Sequence, residues 1–167
     1  MTKKAQFVVI IMETASWMES QAQKFYADLF TSSEEGEKYA AKNLSISELF
    51  KVQNDFNIEV LMVYENENPS SFIQLNSSGI FNENIEAEKP ICVEYIIYSS
   101  AEEILVLIDR AEVIAKQRKN DLIWIKLFEF DSILKETLES NGYEKFDFEE
   151  TIPNETNSKQ IYFKKNI

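Results

Sequence analysis

Residues 90–130 hold two strands with apolar side chains on both faces, "PICVEYIIYS" and "DLIWIKLFEF", joined by the helical stretch "AEEILVLIDRAEVIAKQ". A strand buried on both faces must lie near the centre of a sheet that is covered on both sides. The stretch between them supplies one cover. Ile104, Leu107, Ile108, Ala111, Ile114 and Ala115 recur at helical spacing and form a single apolar stripe. Ser100, with Glu103 three residues on, is a capping pattern that starts this helix. Such junctions often hold an anion, because the first turn offers unpaired N–H groups and the positive end of the helix dipole. Here the turn "SSAEE" has no glycine, and Glu102 and Glu103 occupy the place where an anion would sit.

The other elements fall around this unit. The opening "MTKKAQFVVIIMETAS" places two lysines before an apolar run, but Phe7–Met12 is shorter than the apolar region of a secretory leader. It reads instead as a first strand, Phe7–Glu13. Ser16 and Glu19 predict the start of a helix that runs to about Phe30. A second helical region, Ser33–Asn54, breaks at Asn43–Leu44, because Ser45 and Glu48 repeat the capping pattern. Ile58–Asn66 and Ser70–Asn76 read as strands joined by the turn-prone "ENENP". Gly79–Lys89 reads as an acidic loop. Asp131 caps a short helix that stops at Asn141–Gly142, and "YEKFDFEE" with "KQIYFKKN" close the chain as an antiparallel pair. The 167 residues are read as one domain, 1–167.

Composition removes several functions. The chain has no histidine, which rules out Ser-His-Asp and Cys-His pairs, histidine-bound zinc and an imidazole base. Proton transfer falls to Glu, Asp, Tyr, Lys, Cys92 or water. A net charge of −12 works against binding nucleic acid or an anionic membrane. No apolar run approaches the roughly 20 residues that cross a bilayer. With a single cysteine there is no internal disulfide, which fits a cytoplasmic setting.

The element order, an α+β order, together with particular residues resembles the GNAT superfamily of acetyl-CoA-dependent N-acyltransferases. "FYADLFTSSEEGEKYAAKNLSISELFKVQND" is similar to the long helical opening of its spermidine/spermine-type and PaiA-like branch, and "FIQLNSSG" to that branch's third strand. "VEYIIY" falls at its cofactor-side fourth strand. "AEVIAKQRKNDLIWIKLFEFDSILKETLESNGYEKF" follows its third helix, fifth strand and fourth helix. The resemblance implies a GNAT-type fold, a central mixed, twisted sheet with helices on both faces. It also implies transfer of an acyl group from acetyl-CoA to a small-molecule or peptide amine by direct attack, and it leaves a homodimer open.

The departures are specific. The family's Q/R-x-x-G-x-G/A phosphate loop is reduced to "SSAEE", a degenerate phosphate loop in which no glycine lets backbone approach a diphosphate. Asp131 stands where many members place an Asn, and Leu138 stands where a Tyr often serves as general acid.

From the resemblance, Glu94 is the candidate base and Tyr98 a candidate acid. The backbone of Ile96, Ile97 and Tyr98 would hold the thioester, with Ser99, Ser100 and Asp131 on the cofactor side. Each has a plainer account. Glu94 is equally read as a solvated or lysine-paired carboxylate, Tyr95 and Tyr98 as strand aromatics, Ser100 as a cap, and Cys92 as an inert core thiol. Arg110, Lys116, Arg118 and Lys119 read as a solvated helix face. The acidic stretch Asn82–Glu88 would attract a cation or simply solubilise the surface. Two functions stay open: an acyltransferase, or a GNAT-fold binding module that no longer takes CoA in the family's manner.

Overall fold

The computed structural model describes residues 2–78, 85–149 and 158–167. The elements run β1 (Lys3–Phe7), α1 (Met12–Leu29), α2 (Ser33–Asn43), α3 (Ile46–Gln53), β2 (Ile58–Glu65), β3 (Asn68–Asn76), β4 (Pro90–Ile97), α4 (Ala101–Gln117), β5 (Leu122–Phe128), α5 (Ser132–Glu139), β6 (Glu144–Phe146) and β7 (Gln160–Asn166). The described strands form one mixed sheet in the order β1-β2-β3-β4-β5-β7-β6, with β4 and β5 parallel and the other neighbours antiparallel. This is the expected α+β architecture.

Strand alternation sends successive side chains to opposite faces. Leu61, Val63, Ile73, Val93, Ile123 and Ile125 pack under the stripe of α4 and under Leu134 and Leu138 of α5. Val60, Met62, Phe72, Ile97 and Phe128 pack under α1–α3, against Met18, Ala22, Tyr26, Ala40 and Leu49. A third group, centred on Trp124 and Cys92, lies beside Phe146 and Phe148. Every residue expected in the α4 stripe is buried, and Leu138 packs as its side chain requires.

The first strand is displaced from its expected place. It occupies Lys3–Phe7, and residues 8–11 lead into α1 at Met12, so the Phe7–Glu13 strand does not form. Register with β2 accounts for this, because Phe7 pairs with Leu61 at the end of the ladder. Ser16 and Glu19 do not cap α1 either. Glu19 reaches across to accept from the Ile46 N–H at 2.8 Å, so it serves the start of α3. At α3 itself Ser45 accepts from the Glu48 N–H as the pattern predicts.

Candidate active site

β4 carries the irregularity that builds the site. Phe72 pairs with Ile97 and Gln74 with Glu94, so two steps along β3 match three along β4. The extra residue is a β-bulge, which bends a strand and re-aims its side chains. Its centre is Tyr95, whose φ of 52° is a left-handed backbone that a bulky side chain adopts only at a cost of about 1–3 kcal/mol. The surrounding structure holds it there: the Tyr95 hydroxyl donates to Asn43 Oδ1 at 3.2 Å, and its ring lies 6.3 Å from that of Tyr39.

The bulge has two effects. Glu94 and Tyr95 both come to lie on the α1–α3 side, where strict alternation would have sent Tyr95 to the other face. In addition, the parallel ladder between β4 and β5 ends at Val93–Ile125, although β4 runs on to Ile97 and β5 to Phe128. The strands part at the centre of the sheet. A narrow cavity of about 30 Å³ occupies the gap, enough for one water or a single ammonium-sized group. Phe25, Tyr26, Leu29 and Tyr39 line it from α1 and α2. Glu94–Ile96 and Lys126–Phe128 form its walls, and Asp131 and Leu134 close the α5 side.

Glu94 sits at the head of this gap and is only 7% exposed. The solvated reading of this carboxylate is therefore corrected. Asn76 Nδ2 donates to its Oε1 at 3.3 Å, and Lys126, one residue beyond the end of the parallel ladder, lines the same cavity. Gln74, opposite Glu94 on β3, is also buried, and its Oε1 has no partner among the described residues. Tyr26 is held well above the ordinary phenol range by burial first, then by the nearby tyrosines and by the carboxylates Asp131 and Glu94. It stays a neutral phenol.

The remaining candidates separate by position. Ile96 turns to the α4–α5 core and Ile97 to the α1–α3 core. Tyr98 crosses the far end of the gap. Its ring meets Phe25 edge-on at 5.0 Å, and its hydroxyl donates to Asp131 Oδ1 at 2.5 Å. Asp131, 3% exposed, also accepts from the Leu134 N–H as the cap of α5. Burial raises the Asp131 pKa despite those two donors, and burial with the Asp131 hydrogen bond raises that of Tyr98. The pair is a clasp between the exits of β4 and β5. Tyr98→Phe would leave the buried Asp131 carboxylate short of a donor, with an expected stability loss of about 1–3 kcal/mol in urea titration. A loss below about 0.5 kcal/mol would show that the clasp contributes no more than an ordinary surface contact.

Ser99 and Ser100 belong to the junction with α4, and that junction is tied to the sheet. The Ser99 N–H donates to Ser71 Oγ at 3.0 Å and its hydroxyl to the Ser70 carbonyl at 2.8 Å. Ser100 Oγ accepts from the Glu103 N–H. Glu103 does not project toward solvent beside the dipole, which corrects the expectation for it. It is 3% exposed and accepts from the Ser71 hydroxyl, with Lys3 Nζ at 3.0 Å. Of the two carboxylates in that turn, Glu102 is the one that remains largely exposed.

Burial pushes the Glu103 pKa up, but the Ser71, Ser70 and Lys3 partners outweigh it and hold the group below its ordinary value of 4.5. A carboxyl lowered on folding adds stability that is complete above its unfolded pKa. That stability is lost as pH falls through the lower folded value. Unfolding midpoints between pH 6 and 3 should therefore fall more steeply for the native chain than for Glu103→Gln. Parallel curves would contradict this assignment.

The connection into α4 is short and contains no glycine. Tyr98, Ser99 and Ser100 alone connect β4 to α4, all three carry a Cβ, and Ser99 spends its N–H within the protein. The basic residues of α4 lie elsewhere. Arg110 and Lys116 are 9 and 15 residues beyond Ala101, about 13 and 22 Å along the helix, and Arg118, just past its end, makes a two-pronged ion pair with Glu59.

No family profile matches the chain. No curated protein matches it either. Solved structures do. The PaiA N-acetyltransferase of Thermoplasma acidophilum, in complex with coenzyme A, superposes with a TM-score of 0.75 at 16% identity, covering 100% of both chains. A GCN5-related N-acetyltransferase of Rhodopseudomonas palustris gives 0.71 at 14% identity, over 100% of this chain and 97% of that one. The spermidine N-acetyltransferase of Vibrio cholerae, in complex with CoA and spermine, gives 0.65 at 13% identity over 98% and 95%. Identities this low carry the fold alone. The chain has the GNAT acetyltransferase fold.

Proposed function

We propose that the gap between β4 and β5 is an acyl-transfer site, in which an amine entering from the α1–α2 side attacks a thioester entering from the α4–α5 side. The observation that carries this reading is Glu94, a buried carboxylate at the point where the central strands part. Amines are largely protonated near neutral pH and must lose a proton to become nucleophiles. Glu94 takes that proton, directly or through one water. The amine nitrogen then bonds to the acyl carbon. Backbone N–H groups of Ile97 and Tyr98, beyond the bulge, stabilise the negative charge on the carbonyl oxygen. The C–S bond breaks, the thiolate leaves, and the nitrogen gives up its second proton to water as the amide forms.

Tyr98 is the side chain placed to return a proton to that thiolate, once its hydroxyl leaves Asp131. While the clasp holds, its raised pKa makes it a poor donor. The acceptor set also suits an amine: the Glu94 carboxylate lines the cavity with Tyr26 and Tyr39, and Gln74, whose Oε1 has no partner among the described residues, pairs with Glu94 on the neighbouring strand. The spermine bound by the Vibrio cholerae enzyme supports an amine acceptor as well.

The test is thiol release from acetyl thioesters in the presence of diamines, polyamines and peptide amines, with product masses measured. Amine-dependent acetylation is the expected result. Its absence with every donor, alongside calorimetric binding of an amine, would favour the second reading of an amine-binding module. The closed α4 junction and the Tyr98–Asp131 clasp are the observations behind that alternative.

A further inference from the structure

We infer that this chain takes its acyl group from a thioester recognised through its acyl-thiol arm, with no nucleotide diphosphate held by the protein. The inference rests on the acyl-transfer reading above and narrows its donor class.

A diphosphate on a protein is held by converging N–H groups, by cations, or by both. At the end of the gap the Ser99 and Glu103 N–H groups are already used within the protein, and the neighbouring cation, Lys3, is already paired. The connection from Ile97 to Ala101 is three residues long and contains no glycine. Its backbone is drawn down onto β3 through Ser99, whose N–H reaches Ser71 Oγ and whose hydroxyl reaches the Ser70 carbonyl. In the first turn of α4, the Glu103 N–H is taken by Ser100 Oγ. The cation beside this turn, Lys3, is shared between two carboxylates, at 3.0 Å from Glu103 and 3.6 Å from Glu102. A nucleotide diphosphate arriving here would meet the exposed Glu102 beside a lysine already shared with Glu103, on a chain whose net charge is already −12.

The gap itself makes no such demand. At about 30 Å³ it must widen to admit more than one small group, and its mostly apolar or aromatic walls then suit an uncharged amide-containing arm. The clasp between Tyr98 and Asp131 is one hydrogen bond that such an arm would displace. The donor class is therefore a small pantetheine-type acyl thioester. An acidic carrier protein bearing the same arm is disfavoured by the chain's own negative charge.

The experiment compares acetyl-CoA with S-acetylpantetheine, which keeps the thioester and the arm and lacks every phosphate. With a fixed amine and the full chain, thiol release should give kcat/KM values within about threefold of each other, and 3′,5′-ADP should not inhibit. A preference for acetyl-CoA of thirtyfold or more, or competitive inhibition by 3′,5′-ADP, would overturn the inference while leaving acyl transfer in place. If neither thioester is turned over, the acyl-transfer reading fails and the inferred donor role falls with it; calorimetry with CoA and pantetheine then decides the remaining claim, that the arm is bound without help from a nucleotide diphosphate. Equal affinities for the two thiols support it. CoA binding more than tenfold tighter, or no binding of either, overturns it.

Discussion

Glu94→Gln should lower amine acetylation by about 10²-fold or more while leaving the fold intact. The amide keeps the size of the side chain and an oxygen that accepts from Asn76 Nδ2, so the buried hydrogen bond at the head of the gap survives. What it loses is the ability to take a proton from an ammonium. The measurement is turnover with the best amine found, together with the urea midpoint of the same preparation. Turnover within threefold of the native value would remove Glu94 from the mechanism. A large fall in the urea midpoint would show that the carboxylate is needed for folding, and Glu94→Asp would then separate the two roles. A base shortened by one methylene retains some turnover, whereas a purely structural carboxylate gives no rate advantage over Gln.

The second large effect is expected at Gly36, away from the chemistry. A Cβ at this position would lie 2.1 Å from the Tyr26 carbonyl oxygen and 2.8 Å from the Ala27 nitrogen. Both atoms are backbone of α1 and cannot rotate aside. Gly36→Ala must therefore push α2 away from α1, which should cost about 3 kcal/mol, or roughly 6–12 °C in melting temperature for a domain of this size. Tyr26 and Tyr39 line the gap from those two helices, so acetylation should fall further than the unfolded fraction explains. A loss below about 1 kcal/mol would mean that the two helices separate freely, and that their close approach does not hold the aromatic side of the site.

Much of the fold was legible because its signals are local. The α4 stripe, the Ser45 and Ser100 caps, the break before α3 and the stop at Gly142, with φ of 87°, each depend on neighbours a few residues away. The failures were also local in appearance. Ser16 and Glu19 have the spacing of a cap, yet Glu19 is used 27 residues away at Ile46. The run after Phe7 has the apolar content of a strand, but its pairing with β2 goes no further than the Val8 N–H, which donates to the Val60 carbonyl at 3.1 Å.

The sequence by itself determined a sheet buried on both faces, helices to cover it, chemistry without histidine, and a short junction before α4 without glycine. Only the tertiary structure decided what the candidate residues do. The bulge at Tyr95 is a mismatch of register between two strands, and no pattern within "VEYIIY" reveals it. That mismatch parts β4 from β5 and sets Glu94 at the head of the gap with Asn76, Gln74 and the α1–α2 aromatics around it. The same holds for Glu103. Its place in the first turn could be read from the chain, but its burial against Ser71 and Lys3 depends on β1 and β3 arriving beneath α4. Periodicity reports which face a residue presents. Which partners meet on that face is set by strand order and register, and these are properties of the assembled sheet.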